Sequence, residues 1–159
     1  MDAPAEIGSS RMLARRLCRF SVLGEAVGQP RATQTRRGGK RWGYVDKDHP
    51  VHAFRDAVRL AARQAWRGKP VGGPIELVIL ILMPRPKSMI WKTKPMVRVP
   101  HVTKPDRNNV VKAIEDAMKG IVWVDDNQIY KSAEEKWIAA GDEKPRVIVE
   151  VLMQRNRLD

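Results

Sequence analysis

The sequence predicts a single α+β domain in which a mixed β-sheet of roughly four or five strands packs with two main helices and carries long basic loops. Three observations predict this fold class. The chain has 159 residues and 43% of them are hydrophobic, which suits one domain with its own core. Segments 50–66 and 106–119 repeat apolar residues at helical spacing. Segments 20–23, 74–83, 128–137 and 146–153 instead have the continuous or alternating apolar character of strands.

The first predicted strand, residues 20–23, leads through residues 28–31 into a basic hairpin. Two glycines between basic pairs are typical of a hairpin tip, and Trp42 and Tyr44 beside it can stack on exposed bases. A solvated mobile loop is the alternative interpretation. We favour contact with DNA phosphates, because the basic bias continues in the next two segments. The predicted DNA-binding residues of this region are Arg31, Arg36, Arg37, Lys40 and Arg41.

Residues 50–66 predict the first helix, with a proline in its first turn and a glycine beyond its end. Arginines recur every four residues, at positions 55, 59, 63 and 67. Such a column can track a nucleic-acid backbone or can be an ordinary solvated face, and the pattern leaves both interpretations open. Residues 74–83 are apolar on both faces and predict the central strand of the sheet. The basic, proline-interrupted segment 84–104 predicts an extended loop that grips distorted DNA or packs across a dimer partner.

Carboxylates gather in residues 104–136, inside an otherwise basic chain. A helix is predicted to begin at Asp106 and to end at Gly120, followed by a short buried strand at 121–123, a turn at 124–127 and a returning strand. If the helix start and the turn lie close together, Asp106, Asp125 and Asp126 converge, and a divalent cation would relieve their repulsion. Oxygen ligands without Cys or His favour Mg²⁺ or Mn²⁺. Taken singly, these residues would be only a helix cap and a turn.

The formal net charge of +12 is distributed unevenly along the chain. Residues 1–105 have a net charge of +14, whereas residues 106–159 have a net charge of −2. We therefore expect the first part to contact a polyanion and the second part to contain the reactive site. A basic ribosomal or RNA-binding protein would explain the charge but not the three aspartates.

The lone Cys18 excludes an internal disulfide, and no Cys/His cluster predicts a zinc site. A reducing cytoplasm fits this cysteine usage. No apolar run reaches the length of a membrane span, and the charged N-terminus has no signal core. We expect residues 1–18 to form a basic, poorly ordered segment, residues 19–154 to form the folded domain, and residues 155–159 to form a frayed tail.

About a dozen positions resemble the RusA-type Holliday-junction resolvases, whose pattern is KPDxDN, a lysine four residues after the second aspartate of that motif, and a W-x-DD-x-Q segment. Lys104-Pro105-Asp106-Arg107-Asn108-Asn109 matches the first part, Lys112 the lysine, and Trp123-Val124-Asp125-Asp126-Asn127-Gln128 the last part. The resemblance extends more loosely from about residue 20 onward. It implies Mg²⁺-dependent cutting of four-way DNA in recombination and repair, by a two-fold dimer whose symmetry matches that of the junction.

The resemblance also implies roles for single residues. The implied catalytic residues are Asp106, Asn108, Lys112 and Asp126, the implied metal ligands are Asp106, Asn108, Asp125 and Asp126, and Lys104 joins the DNA-binding residues. One position departs from the pattern, because Asn108 stands where the family has its second catalytic aspartate. The amide keeps a carbonyl oxygen but loses the charge that attracts a cation. A catalytically silent protein that binds branched DNA is therefore the alternative function.

Overall fold

A five-stranded mixed sheet in the order β1-β7-β4-β6-β5 forms the centre of the protein, in a computed structural model that describes residues 14–155. Its strands are β1 Ala14–Leu23, β4 Ile75–Met83, β5 Val99–Pro100, β6 Ile129–Ile138 and β7 Arg146–Gln154. The hairpin of β2 Thr33–Arg37 and β3 Lys40–Tyr44 is separate from this sheet. The helices are α1 Val51–Ala65 and α2 Arg107–Met118. The predicted fold class, an α+β domain with a mixed sheet and two helices, is confirmed.

Strand β4 is the middle strand of the sheet, as its apolar run predicts. It pairs with β6 in parallel and with β7 antiparallel. Alternate side chains, from Ile75 to Met83, join the core beneath both helices. The side chains between them lie on the opposite face, where Val78 and Leu80 are only partly buried. Both helices therefore cover the same face of the sheet.

The two helices pack against each other and against the sheet through their apolar sides. The buried stripe of α1 consists of Val51, Phe54, Val58 and Ala62. Six of the 12 residues of α2 are buried. Burial of these side chains holds α2 against β6 and β4, and this fixes the direction in which its polar side points. No helix among residues 14–155 is long and apolar enough to cross a membrane.

One expected boundary, the start of the folded domain, differs from the structure. Strand β1 begins at Ala14, because residues 14–18 pair with β7 and Cys18 lies opposite Val151 in the buried sheet. Burial raises the pKa of the Cys18 thiol to about 11, so this cysteine is an inert core residue. The rest of the expected N-terminal segment, residues 1–13, and residues 156–159 of the expected tail lie outside the described residues.

Residues 121–123 do not form the short buried strand that their apolar side chains predict. The backbone N–H groups of Ile121 and Val122 both donate to the carbonyl oxygen of Met118, at 3.0 and 3.2 Å, so the chain continues to coil beyond α2. Only Trp123 makes isolated bridges, to Val71 and Lys119. Val122 and Trp123 are nevertheless buried, because they cover the end of the core below α2 and not because they pair in a sheet.

The basic segment 84–98 is ordered by contacts of its own. Arg85 donates to the carbonyl oxygens of Met89, Val97 and Ala139 at 2.8 to 3.1 Å. Its guanidinium carbon also lies 5.2 Å from the centre of the Trp91 ring. At the other end, hydrogen bonds from Arg98 lower the pKa of Glu143 to about 2. Much of the cationic and aromatic character of this segment is therefore used internally, and its contact with DNA or with a dimer partner stays a prediction.

Candidate active-site cleft

Asp106 occupies the N-cap position of α2, yet its carboxylate does not cap the helix. The first helical turn instead uses the backbone carbonyl oxygen of Asp106, which accepts from Asn109 N at 3.1 Å and from Val110 N at 3.2 Å. The side chain is exposed at the mouth of a cleft. Helix capping therefore does not explain why a carboxylate stands at this position, and its two oxygens are available to a ligand.

This cleft, called the catalytic cleft after the role that we propose for it below, has a volume of about 580 Å³ and lies between the start of α2 and strand β6. Its lining is strongly polar, with two carboxylates, two side-chain amides and one ammonium group. The residues are His101, Val102, Thr103, Asp106, Arg107, Asn108, Asn109, Glu134 and Lys136. The predicted residues Asp106 and Asn108 thus line the same cleft. Glu134 and Lys136 line it with them, and the sequence pattern does not identify these two residues.

Lys136 supports the turn that precedes Asp106. Its ammonium donates to the carbonyl oxygens of Thr103 at 2.7 Å and Pro105 at 2.5 Å. Partial burial lowers the pKa of Lys136, while the nearby Asp106 carboxylate opposes that shift. Lys136 therefore places a positive charge beside Asp106 and fixes the loop that carries it.

Asp125 and Asp126 have different surroundings. Asp125 caps the short turn Asp126–Gln128, and its Oδ1 lies 3.1 Å from the ammonium of Lys119. This hydrogen bond lowers the pKa of Asp125. Asp126 accepts a hydrogen bond of 2.9 Å from the indole Nε1 of Trp123. Asp125 therefore has a structural role that accounts for its presence, whereas Asp126 is positioned by a buried tryptophan.

The structure does not place all three aspartates around one point. Asp106 precedes α2, whereas Asp125 contacts Lys119, the residue that follows α2. The two aspartates are therefore separated by a helix of 12 residues, which is about 18 Å long. Among residues 14–155, no three His, Cys, Asp or Glu side chains are grouped to hold a single ion. Asp106 and Asn108 thus lie at one end of the polar side of α2, and Asp125 and Asp126 at the other.

Two glutamates lie between these ends. Burial, then Asp126, then Glu134 raise the pKa of Glu115, and the exposed Lys112 partly offsets these effects. Glu134 is also part of the catalytic cleft, so acidic side chains occur between the Asp106 end and the Asp126 end of α2. Sequence reasoning missed Glu134 and Lys136. The signal that could have found them is a pair of charged residues at core-facing positions of a strand. Glu134 and Lys136 occupy such positions, since they lie opposite Ile79 and Ile81 of β4.

The predicted DNA-binding residues form two groups. Arg36 pairs with Arg41 and Arg37 with Lys40 across the hairpin, and all four are exposed. The two residues between the strands, at positions 38 and 39, are glycines with φ of 60° and 76°, as a tight hairpin turn requires. The second group, Arg31 and Lys104, lines another cleft beside Asp106. The structure thus presents cations on both the hairpin and the approach to the catalytic cleft.

The arginine column on α1 divides into different environments. Arg55 is 15% exposed and contacts Gln29 and Asp116, and Arg59 pairs with Asp56 at 2.8 Å. Arg63 and Arg67 line a surface cleft near Gly120. Because Arg55 is used inside the fold, the four guanidinium groups do not form one continuous surface for a DNA backbone.

The sequence of this chain is similar to those of known proteins of one family. A sequence model of the family described as Endodeoxyribonuclease RusA matches residues 24–152. The Bacillus subtilis (strain 168) relative named Uncharacterized protein YqaN is 31% identical over 138 residues, which cover 82% of this chain and 92% of the relative. The family match includes both clefts, the hairpin and every strand from β2 to β6. The chain therefore belongs to the RusA endodeoxyribonuclease family.

Proposed function

We propose that this protein is a Holliday-junction resolvase that hydrolyses phosphodiester bonds in four-way or other branched DNA, with Mg²⁺ or Mn²⁺ as cofactor, in recombination and repair. The observation that carries the proposal is the free carboxylate of Asp106, at the mouth of a polar cleft in a chain that belongs to a nuclease family. A cytoplasmic location stays a prediction.

The donors of the catalytic cleft suit a hard cation. Mg²⁺ commonly takes one or two protein carboxylates and completes its shell with water and substrate phosphate oxygens. Asp106 and Glu134 supply two carboxylates, and Asn108 supplies an amide oxygen. When bound, such an ion polarises the phosphodiester and lowers the pKa of an attacking water. We infer that Asp125 and Asp126 contribute from the other end of α2, Asp126 more directly because Asp125 is already paired with Lys119.

The chain's own residues orient the substrate around this cleft. Lys136 fixes the turn before Asp106 through two carbonyl oxygens, which keeps the carboxylate in place as DNA enters. Lys112 is exposed on α2 and can approach a phosphate that lies along the helix. Its ammonium would stabilise negative charge that develops on the phosphate oxygens in the transition state.

Cleavage of a labelled four-way junction tests the proposal. We expect cutting in Mg²⁺ that a chelator stops, with little cutting of linear duplex. Asp106→Asn should lower the rate on the order of 100-fold, because the substitution removes charge where the cation and the reacting phosphate meet. The matched control Asp142→Asn, at an exposed residue outside both clefts, should leave the rate unchanged. Equal rates for the two variants would exclude Asp106 from the reaction.

The alternative, a protein that binds branched DNA without cutting it, is favoured by the state of Asn108. Its side-chain oxygen accepts a hydrogen bond of 3.3 Å from Arg107, and the amide carries no charge. Both features weaken the attraction for a cation. Tight binding of junctions without cleavage at any Mg²⁺ or Mn²⁺ concentration would establish this alternative.

The hairpin should contribute to affinity through phosphate contacts. Replacing Arg36, Arg37, Lys40 and Arg41 with Gln should flatten the dependence of log affinity on log salt, since each duplex phosphate neutralised adds about 0.9 to that slope. The measurement is junction binding at several salt concentrations without divalent metal. Lys69→Gln with Lys144→Gln, two exposed cations outside the clefts and outside segment 84–104, is the control. If the slope is unchanged after all four replacements, the hairpin does not contact DNA phosphates.

We further propose a homodimer that forms through the sheet face opposite the helices. Val78 and Leu80 of β4 lie there beside Ile148 of β7, all partly exposed, and a second copy would bury them. The protein should sediment as a dimer at micromolar concentration, and Leu80→Glu should give a folded monomer. Leu60→Glu, which places the same charge on exposed α1, should stay dimeric. A monomeric starting protein would contradict the proposal.

A further inference from the structure

The structure holds a second cleft that adjoins the catalytic cleft, and we propose that it binds the phosphodiester next to the one cleaved. We call it the neighbouring-phosphate cleft. It has a volume of about 890 Å³, and its lining includes Gly28, Gln29, Arg31, His49, Lys104 and Asp106. The inference rests on the proposed nuclease function, and it adds a binding role for His49 and a position for one phosphate of the substrate.

One wall of this cleft is fixed firmly against α2. Gln29 N donates to the carbonyl oxygen of Asn109 at 2.9 Å. A Cβ at Gly28 would lie 3.1 Å from Pro105 Cβ and 3.2 Å from Asn109 Cβ, so only a residue without a side chain allows this approach without displacement. Arg55 joins the wall to α2, because it contacts both Gln29 and Asp116. The cleft is therefore built by tertiary contacts and does not depend on a loose loop.

The donors in the neighbouring-phosphate cleft suit an anion. Arg31 and Lys104 are exposed, and neither is in an ion pair within residues 14–155. His49 Nδ1 accepts a hydrogen bond of 3.1 Å from Val51 N, so the neutral ring carries its proton on Nε2 and can donate from there. Asp106 is the one carboxylate of the lining, and it lies where the two clefts meet. A guanidinium, an ammonium and an imidazole N–H thus share one side of the cleavage site.

The position of the cleft identifies which phosphate it takes. Asp106 and Asn109 line both clefts, so a strand whose reacting phosphate lies at Asp106 continues directly past them. The volume leaves room for a sugar as well as a phosphate, which favours a nucleotide of a continuous strand over a small free anion. Contacts of this kind fix the register of DNA on a protein without reading its sequence.

The test is a scan of junctions that each carry one uncharged methylphosphonate, at successive positions around the crossover, with binding measured in the absence of divalent metal. For the starting protein we expect one position per cut strand to lower affinity on the order of tenfold, because a charge-assisted contact is lost there. In Arg31→Ala and in His49→Ala, a methylphosphonate at that position should lower the junction affinity much less than in the starting protein. Methylphosphonates at the other positions should have the same effect as before. His52→Ala, a histidine on α1 that lines neither cleft, should behave as the starting protein.

An identical scan for Arg31→Ala, His49→Ala and the starting protein would overturn the inference, and so would a starting protein that is insensitive at every position. Arg31 is exposed, so its replacement tests the contact even if His49→Ala perturbs the start of α1. The readout is binding, so it separates this inference from the proposed catalysis. Normal cleavage without the expected loss of sensitivity would refute the cleft alone, whereas the expected loss without cleavage would refute the catalysis alone.

Discussion

Asn108→Asp should raise Mg²⁺-dependent cleavage of four-way junctions by roughly 10- to 100-fold, which corresponds to about 1.4 to 2.7 kcal/mol of transition-state stabilisation. Position 108 lines the catalytic cleft with Asp106 and Glu134, and a third carboxylate there would strengthen the attraction for a divalent cation. Arg107 already donates to the side chain at this position and would offset part of the gain. Junction affinity without metal should stay unchanged or fall slightly, since the new charge repels phosphates.

The measurement compares both proteins at equal fractional binding of labelled junction, with and without Mg²⁺. Gln64→Glu is the control, because it adds one negative charge to an exposed residue of α1, outside the catalytic cleft and away from the acidic turn. Asp106→Asn in the Asn108→Asp background should abolish the gain, since it removes the carboxylate beside it. Equal cutting by the starting protein and Asn108→Asp would show that position 108 is not a metal ligand. No cutting by either would favour the binding-only alternative.

A companion substitution, Asp126→Asn on the Asn108→Asp background, tests the separation of the acidic groups along α2. If the gain disappears, the Asp125 and Asp126 end acts in the same reaction as the catalytic cleft, despite the length of helix between them. If the gain persists, Asp126 serves mainly to position the turn beneath Trp123. Loss of the gain would also mean that Asp106 converges with Asp125 and Asp126 only after a rearrangement on binding DNA, because the helix separates them in this structure.

The elements that sequence reasoning predicted well are those whose signal is local. The apolar run of β4 and the helical stripes of α1 and α2 depend on near neighbours in the chain, and the structure confirms all three. Residues 121–123 were predicted wrongly because a short buried apolar run looks the same in a strand and in a coil that closes a core. The distinction depends on a backbone bond back to Met118, which side-chain pattern does not encode.

The candidate site was only partly predictable for a related reason. The sequence predicts that Asp106, Asp125 and Asp126 converge on one cation, but their hydrogen bonds differ in the structure. The side chain of Asp106 makes no cap, whereas that of Asp125 caps its own turn. Glu134 and Lys136 enter the catalytic cleft only because β6 runs parallel to β4 and passes the start of α2. Their charges at core-facing strand positions mark these two residues as unusual, but strand register is a tertiary property, so that local signal alone could not assign them to this site.

Trp123→Ala should lower the free energy of unfolding by about 3 to 5 kcal/mol, since it removes a fully buried indole and leaves a cavity. It should also release Asp126, whose carboxylate accepts the indole N–H at 2.9 Å. Trp123→Phe separates these effects, because the phenyl ring keeps much of the packing while the hydrogen bond, about 1.5 to 3 kcal/mol with a charged acceptor, is lost.

Urea unfolding gives the stability of each variant, and junction cleavage below the unfolding range gives the functional effect. Trp91→Ala is the matched control, because that tryptophan is 38% exposed and should cost far less stability. If Trp123 positions Asp126 for catalysis, Trp123→Phe and Asp126→Asn should slow cleavage by similar factors, and the double variant should be no slower than either one. Additive losses would instead show that the tryptophan supports the core and that Asp126 acts without it.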